Sequence, residues 1–138
     1  MKISVLGCGR WGSFISWYLA SQGIETTVWG RENSRSFTVL KETGENEYVK
    51  LNKDIKLTSD LEEAVSSAEM LIISIKSQGL RGLATKIKEV GGDKKPIILC
   101  MKGLEEDTGK RLTEIMLECG YDKDKLAVWV GPGHIQEF

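Results

Sequence analysis

Cysteine, histidine and net charge are all scarce in this sequence, and each scarcity removes a class of function. The 138 residues hold three cysteines, Cys8, Cys100 and Cys119, far apart and with no C-x-x-C pair. That spacing argues against a metal site or a disulfide framework and suits a reducing, cytoplasmic compartment. His134 is the only histidine. A formal net charge of -1 gives no support for nucleic acid or an anionic membrane as partner. No apolar run approaches the roughly 20 residues that span a bilayer, and with a strand expected from Lys2 no leader peptide is expected. Internal repeats and low-complexity linkers are absent as well. What remains, with 41% hydrophobic and 28% charged residues, is the composition of one ordinary globular domain.

Short apolar runs alternate with segments of helical period, the pattern of a parallel α/β sheet. The expected strands are Ile3–Leu6, Thr26–Trp29, Ile55–Leu57, Met70–Ile75, Ile97–Cys100 and Leu126–Val130. Helices are expected over residues 10–22, 61–67 and 77–90, and from Thr108 or Gly109 to Glu118; Ser59 or Asp60 is the expected cap of the second. The polar stretch from Arg31 to Asn52 is too weakly periodic to assign. About six strands with intervening crossovers make a Rossmann-type doubly wound sheet with helices on both faces. The right-handed crossover rule favours the order 3-2-1-4-5-6, with a ligand crevice where the order reverses.

The segment Gly7-Cys8-Gly9-Arg10-Trp11-Gly12 directly follows the first strand and opens the first helix. A lone G-x-G-x-x-G is weak, but this context is the one dinucleotide binding requires. Gly7 permits the tight turn, Gly9 a close approach of backbone to a diphosphate, and Gly12 close packing of the helix. The helix's first amides, reinforced by its dipole, then face the phosphates. NAD-preferring versions place an acid after the second strand to bond the ribose hydroxyls. Here Arg31 comes first and Glu32 follows. A guanidinium there can accept a 2′-phosphate, so NADP is at least tolerated alongside NAD.

The loop and four later segments resemble the N-terminal domain of NAD(P)-dependent glycerol-3-phosphate dehydrogenase. Those segments are Val28-Trp29-Gly30-Arg31, Ser77-Gln78, Lys102-Gly103-Leu104-Glu105 with Thr108-Gly109, and the run from Gly131 to Glu137. The resemblance implies reduction of dihydroxyacetone phosphate to sn-glycerol 3-phosphate, a phospholipid precursor. It places Gly7, Gly9, Arg10, Trp11, Gly12, Arg31, Lys102 and Ile135 at the cofactor, and Lys102, Gly131 and Gly133 at the substrate. A lysine after the fifth strand faces the crevice, where its ammonium can hold a phosphate or polarise a carbonyl.

This sequence departs from the family pattern at four positions. Arg10 stands where the family usually has a hydroxyl, and Lys76 where it has proline. Gly133 stands for a serine, and Ile135 for an alanine. By the same resemblance, residues 1–138 form the cofactor domain, and the acid/base lysine belongs to a helical second domain beyond Phe138, so no catalytic residue is assigned here. His134, near the end of the chain, reads as a solvated residue. Little turnover is expected from this chain alone, and an apolar face left without its second domain is expected to allow a homodimer. Two alternatives stay open: a ketopantoate-reductase-like fragment, which shares the loop and the basic residue, and a non-catalytic NAD(P)-sensing module. Arg31→Asp is expected to weaken NADPH binding more than NADH binding in a fluorescence titration; equal losses count against the assigned role of Arg31.

Overall fold

Each short apolar run becomes a strand, and the polar-and-apolar segments between them supply the helices. The protein, seen in a computed structural model, is described over residues 1–130. In chain order come β1 (Lys2–Leu6), α1 (Arg10–Ser21), β2 (Glu25–Trp29), α2 (Arg35–Thr43), β3 (Lys56–Thr58) and α3 (Leu61–Ser66). They are followed by β4 (Met70–Ile73), α4 (Leu80–Glu89), β5 (Ile97–Leu99), α5 (Leu112–Glu118) and β6 (Leu126–Val128). The six strands form one parallel sheet in the order β3-β2-β1-β4-β5-β6, so the Rossmann-type reading holds. The order reverses between β1 and β4, where a crevice opens at the carboxyl ends.

Alternation along the strands divides the core into two layers. Leu6, Leu71, Ile73, Ile97 and Leu99 point to the face covered by α3, α4 and α5. On the opposite face Ile3, Val5 and Ile72 meet Ile15 of α1, while Val28 meets Phe37 and Leu40 of α2. Central β1 and β4 are accordingly apolar on both sides. Polar groups inside this core are paired. Ser4 donates to the Ala64 carbonyl at 2.6 Å, and the buried Tyr121 hydroxyl donates to the Ala84 carbonyl at 2.6 Å, tying α4 to the end of α5. The edge strand β6 is less covered: Val128, Trp129 and Val130 are all exposed.

Three sequence expectations are corrected. The unassigned stretch from Arg31 contains α2, started by Ser34, whose hydroxyl accepts from the Phe37 amide at 3.2 Å. The last helix begins at Leu112, because Gly109 adopts φ +69°, outside the right-handed helical region. Residues 104–111 instead form a small hairpin closed by the antiparallel bridge Leu104–Arg111. The helix expected from Ser77 starts as a 3-10 turn, Ser77–Gly79, before α4 proper. Strands β4, β5 and β6 are also shorter than expected by one or two residues, β1 and β2 each begin one residue earlier, and β3 is shifted by one. Asp60, not Ser59, caps α3 by accepting from the Glu63 amide at 3.2 Å.

The tightest backbone contact lies under the glycine loop. Gly7 has φ +125°, and a Cβ there would sit 2.0 Å from the Ser74 carbonyl oxygen. A Cβ on Gly12 would sit 2.1 Å from the Gly7 carbonyl oxygen, so α1 packs on the loop itself as well as on the sheet. A Cβ on Gly9 meets nothing within 4 Å. Gly7→Ala should therefore destabilise the fold by about 3 kcal/mol or more, whereas Gly9→Ala should stay within about 1 kcal/mol of the parent. Urea unfolding of the two variants checks this; equal costs would contradict the contact.

Candidate functional site

The carboxyl ends of β1, β2 and β4 are joined by backbone hydrogen bonds. The Gly7 amide donates to the Trp29 carbonyl at 2.9 Å, and the Ser74 amide donates to the Leu6 carbonyl at 2.9 Å. The glycine loop thus sits between the exits of the two neighbouring strands. No side chain caps α1 at Gly9, and a helix's first-turn amides lack partners within the helix. Gly9 is thereby exposed, with no side chain of its own, at the positive end of a helix dipole, a geometry that accepts phosphate.

Beside the loop lies a cleft of about 510 Å³. One wall is the end of β2 and the start of α2, with Gly30, Arg31 and Ser34; the other is the exit of β4 and one side of α4. Cys8 of the glycine loop and Trp29 line it too. Burial pushes the Cys8 thiol up from its ordinary value, and the Ser34 hydroxyl and the Arg31 guanidinium offset this only in part. Loop and Arg31 are thereby brought together, as the sequence reading required. Trp29 is held in place by its indole N–H, which donates to the Ser59 carbonyl at 3.1 Å.

The remaining assigned residues are placed elsewhere around the loop. Arg10 is not part of the cleft lining; its guanidinium lies over the Tyr48 ring, 5.1 Å from the centroid. Trp11 is half-buried against the Ile3–Val5–Ile15–Ile72 cluster and meets Phe14 edge-on at 5.8 Å. Lys102 is exposed beyond β5, apart from Arg31. Gly103 next to it lies against Ser77, whose Oγ would be 3.5 Å from an added Cβ. Gly131, Gly133, His134 and Ile135 lie outside the described residues. Among the described residues no cluster suited to a metal ion occurs, and no helix is long and apolar enough to cross a membrane.

Two tethers escaped the sequence reading. Asn46 donates to the Ser13 hydroxyl at 2.9 Å, and its carbonyl oxygen accepts from the Tyr48 and Val49 amides at 2.9 Å, which sets Tyr48 over the loop. The 104–111 hairpin that follows Lys102 is held from α4. Arg81 grips Glu105 with two bonds of 2.9 Å and Glu118 with one of 2.8 Å. Gln78 donates to the Leu104 carbonyl at 2.9 Å and accepts from the Glu106 amide at 2.9 Å. Lys110 completes the network through an ion pair with Glu118. Local spacing carries no signal for partners this far apart in sequence; Gln78 and Glu105 stood out in the sequence only as parts of the family resemblance.

A doubly wound sheet whose glycine loop opens the first helix beside a cationic cleft defines a dinucleotide-binding α/β domain of the dehydrogenase kind. The model of the family described as NAD-dependent glycerol-3-phosphate dehydrogenase N-terminus matches residues 2–138, and the chain belongs to that family. It is 34% identical over 139 residues to the glycerol-3-phosphate dehydrogenase [NAD(P)+] of Thermoanaerobacter sp. (strain X514), covering 99% of this chain and 42% of that protein. Against the enzyme of the same name from Moorella thermoacetica it is 36% identical over 140 residues, covering 99% and 41%. The chain therefore spans about 42% of the length of such relatives. The crystal structure of glycerol-3-phosphate dehydrogenase from Coxiella burnetii shares the fold, with a TM-score of 0.82 at 23% identity over 99% of this chain and 42% of that one.

The Arg81 guanidinium and the Thr108 hydroxyl pull the Glu105 carboxyl down to about 2 from 4.5. Because the folded value lies below the ordinary one, the stabilisation is complete above about pH 4.5 and is lost as pH falls toward 2. Glu105→Gln should remove this share of the acid dependence. Urea midpoints measured at pH 7 and pH 3 should fall more steeply for the parent than for the variant; parallel slopes would contradict the contact.

Proposed function

We propose that this chain is the cofactor-binding part of a glycerol-3-phosphate dehydrogenase. The complete reaction is reduction of dihydroxyacetone phosphate with NAD(P)H to sn-glycerol 3-phosphate, a phospholipid precursor made in the cytoplasm. One observation carries the reading: glycine loop, Arg31 cleft and Lys102 hairpin share the carboxyl edge of one parallel sheet, in a chain matched over residues 2–138 by that family.

The residues present fit such a cofactor. Gly9 leaves open space where a Cβ would stand, the first turn of α1 has no side-chain cap, and Arg31 lines the cleft together with Cys8 of the loop. The nicotinamide ring, when bound, supplies the hydride. Amides of the first turn of α1 hold the diphosphate, and Arg31 holds the adenosine ribose end. The Lys102 ammonium meets the substrate's phosphate or its carbonyl oxygen, where negative charge develops as the alkoxide forms. The Arg81–Glu105 pair and Gln78 position the hairpin beside that lysine. A proton must also reach the alkoxide from a donor within hydrogen-bond distance. This reading assigns that donor to a lysine of the enzyme beyond these 138 residues.

Titration of the 138-residue chain with NADPH, followed by cofactor fluorescence, should show weak to moderate binding. Gly9→Ala should fold and yet lose about tenfold or more of that affinity, because its methyl occupies the phosphate approach. Little oxidation of NADPH dependent on dihydroxyacetone phosphate is expected. Turnover by the chain alone in the ordinary range of about 1–1,000 per second would overturn the assignment of the proton donor. Pairing of two chains through exposed Val128, Trp129 and Val130 is read by sedimentation at several concentrations; a strictly monomeric chain overturns it.

A further inference from the structure

Three cations share the cleft, and the two faces of α4 treat their charges differently. Arg31 stands on the β2 wall; Lys76, after the exit of β4, and Lys86, on α4, stand on the other. Gly79, Gly82, Leu83 and Lys86 follow the spacing of one helical face, which turns Lys86 to the cleft. On another face of the same helix Arg81 is neutralised by Glu105 and Glu118. The cleft contains no such counter-charge. No carboxylate lines it, and among the described residues none of the three cations takes part in an ion pair.

Like charges gathered around one concavity repel one another and raise the local concentration of anions. A phosphate monoester carries about -1.5 to -2 at neutral pH and takes several cationic donors at once. Arginine meets it as a planar fork and lysines as point charges. The cofactor's diphosphate already has the first turn of α1. The cleft lies farther out, at the end of β2, where a dinucleotide places its adenosine ribose. Of the two nicotinamide cofactors, only NADP carries an anion on that ribose.

We propose that Lys76 and Lys86 complete, with Arg31, a three-cation seat for the 2′-phosphate, so that this chain selects NADP(H) over NAD(H). The proposal rests on the reading of the cleft as the adenosine end of the cofactor site. Gly79 and Gly82 leave the α4 wall low between the two lysines, with no atom within 4 Å of an added Gly82 Cβ. Both ammonium groups can therefore converge on a ligand entering from the Arg31 side.

Isothermal titration of the 138-residue chain with ADP-ribose and with its 2′-phosphorylated form separates the contributions. The parent should bind the phosphorylated ligand about tenfold or more tighter. Lys76→Ala and Lys86→Ala should each lower that affinity by about three- to tenfold, while changing ADP-ribose affinity by less than about threefold. The double substitution to arginine should retain most of the preference. Equal affinity of the parent for the two ligands overturns the seat. So do alanine variants that weaken both ligands alike, which would assign the lysines to the shared diphosphate. A parent chain that binds neither ligand overturns the cofactor reading itself, a result distinct from loss of selectivity alone.

Discussion

At the centre of the sheet's carboxyl edge three stretches of backbone approach one another with no side chain between them. The Gly7 Cα faces the Ser74 carbonyl, and the Gly12 Cα faces the Gly7 carbonyl; a methyl at either would sit about 2 Å from oxygen. Hydrogen bonds from Gly7 to Trp29 and from Ser74 to Leu6 lock the exits of β1, β2 and β4 together at the same place. The height of α1 over the sheet and the place of its first turn follow from this stack. So does the separation of the two cleft walls, because each wall grows from a strand exit that the stack holds. A methyl group here would displace the helix and the site together.

Around this rigid centre the loops are held by long side chains rather than by the sheet. Asn46 reaches back to Ser13 and organises the turn that carries Tyr48. Arg81 and Gln78 do the same for the hairpin beyond Lys102. The Arg81–Glu105 pair is two-pronged, and the Glu105 side chain is only 12% exposed, a geometry in which an ion pair is less screened than on an open surface. Loops at the carboxyl edge of a sheet can be placed without burial by side-chain tethers of this kind.

The sheet was legible in the sequence because burial on both faces leaves continuous apolar runs, such as Met70-Leu71-Ile72-Ile73. Strand order was legible because few right-handed topologies connect such runs. The glycine loop was legible because backbone contact excludes side chains at fixed spacing. Legibility failed where structure depends on partners far away along the chain. The helix Arg35–Thr43 carries only two fully buried residues, Phe37 and Leu40, and so left almost no apolar period to read. Residues 108–111 were taken into a helix because their composition permits one. The left-handed turn at Gly109 and the bridge from Leu104 to Arg111 decided otherwise.

The amino-acid sequence by itself determined the class of fold, the glycine turn before the first helix and the family. Each depends on short-range spacing or on which positions tolerate no side chain, and both are written locally. Only the tertiary structure decided which charges share a surface. Arg31 is tens of residues away from Lys76 and Lys86, yet the parallel register of β2, β1 and β4 brings it to their cleft. Arg81, five residues from Lys86, is meanwhile consumed by Glu105 and Glu118. A charge acquires its role from the surface it shares with other charges, and that surface exists only once the strands have paired.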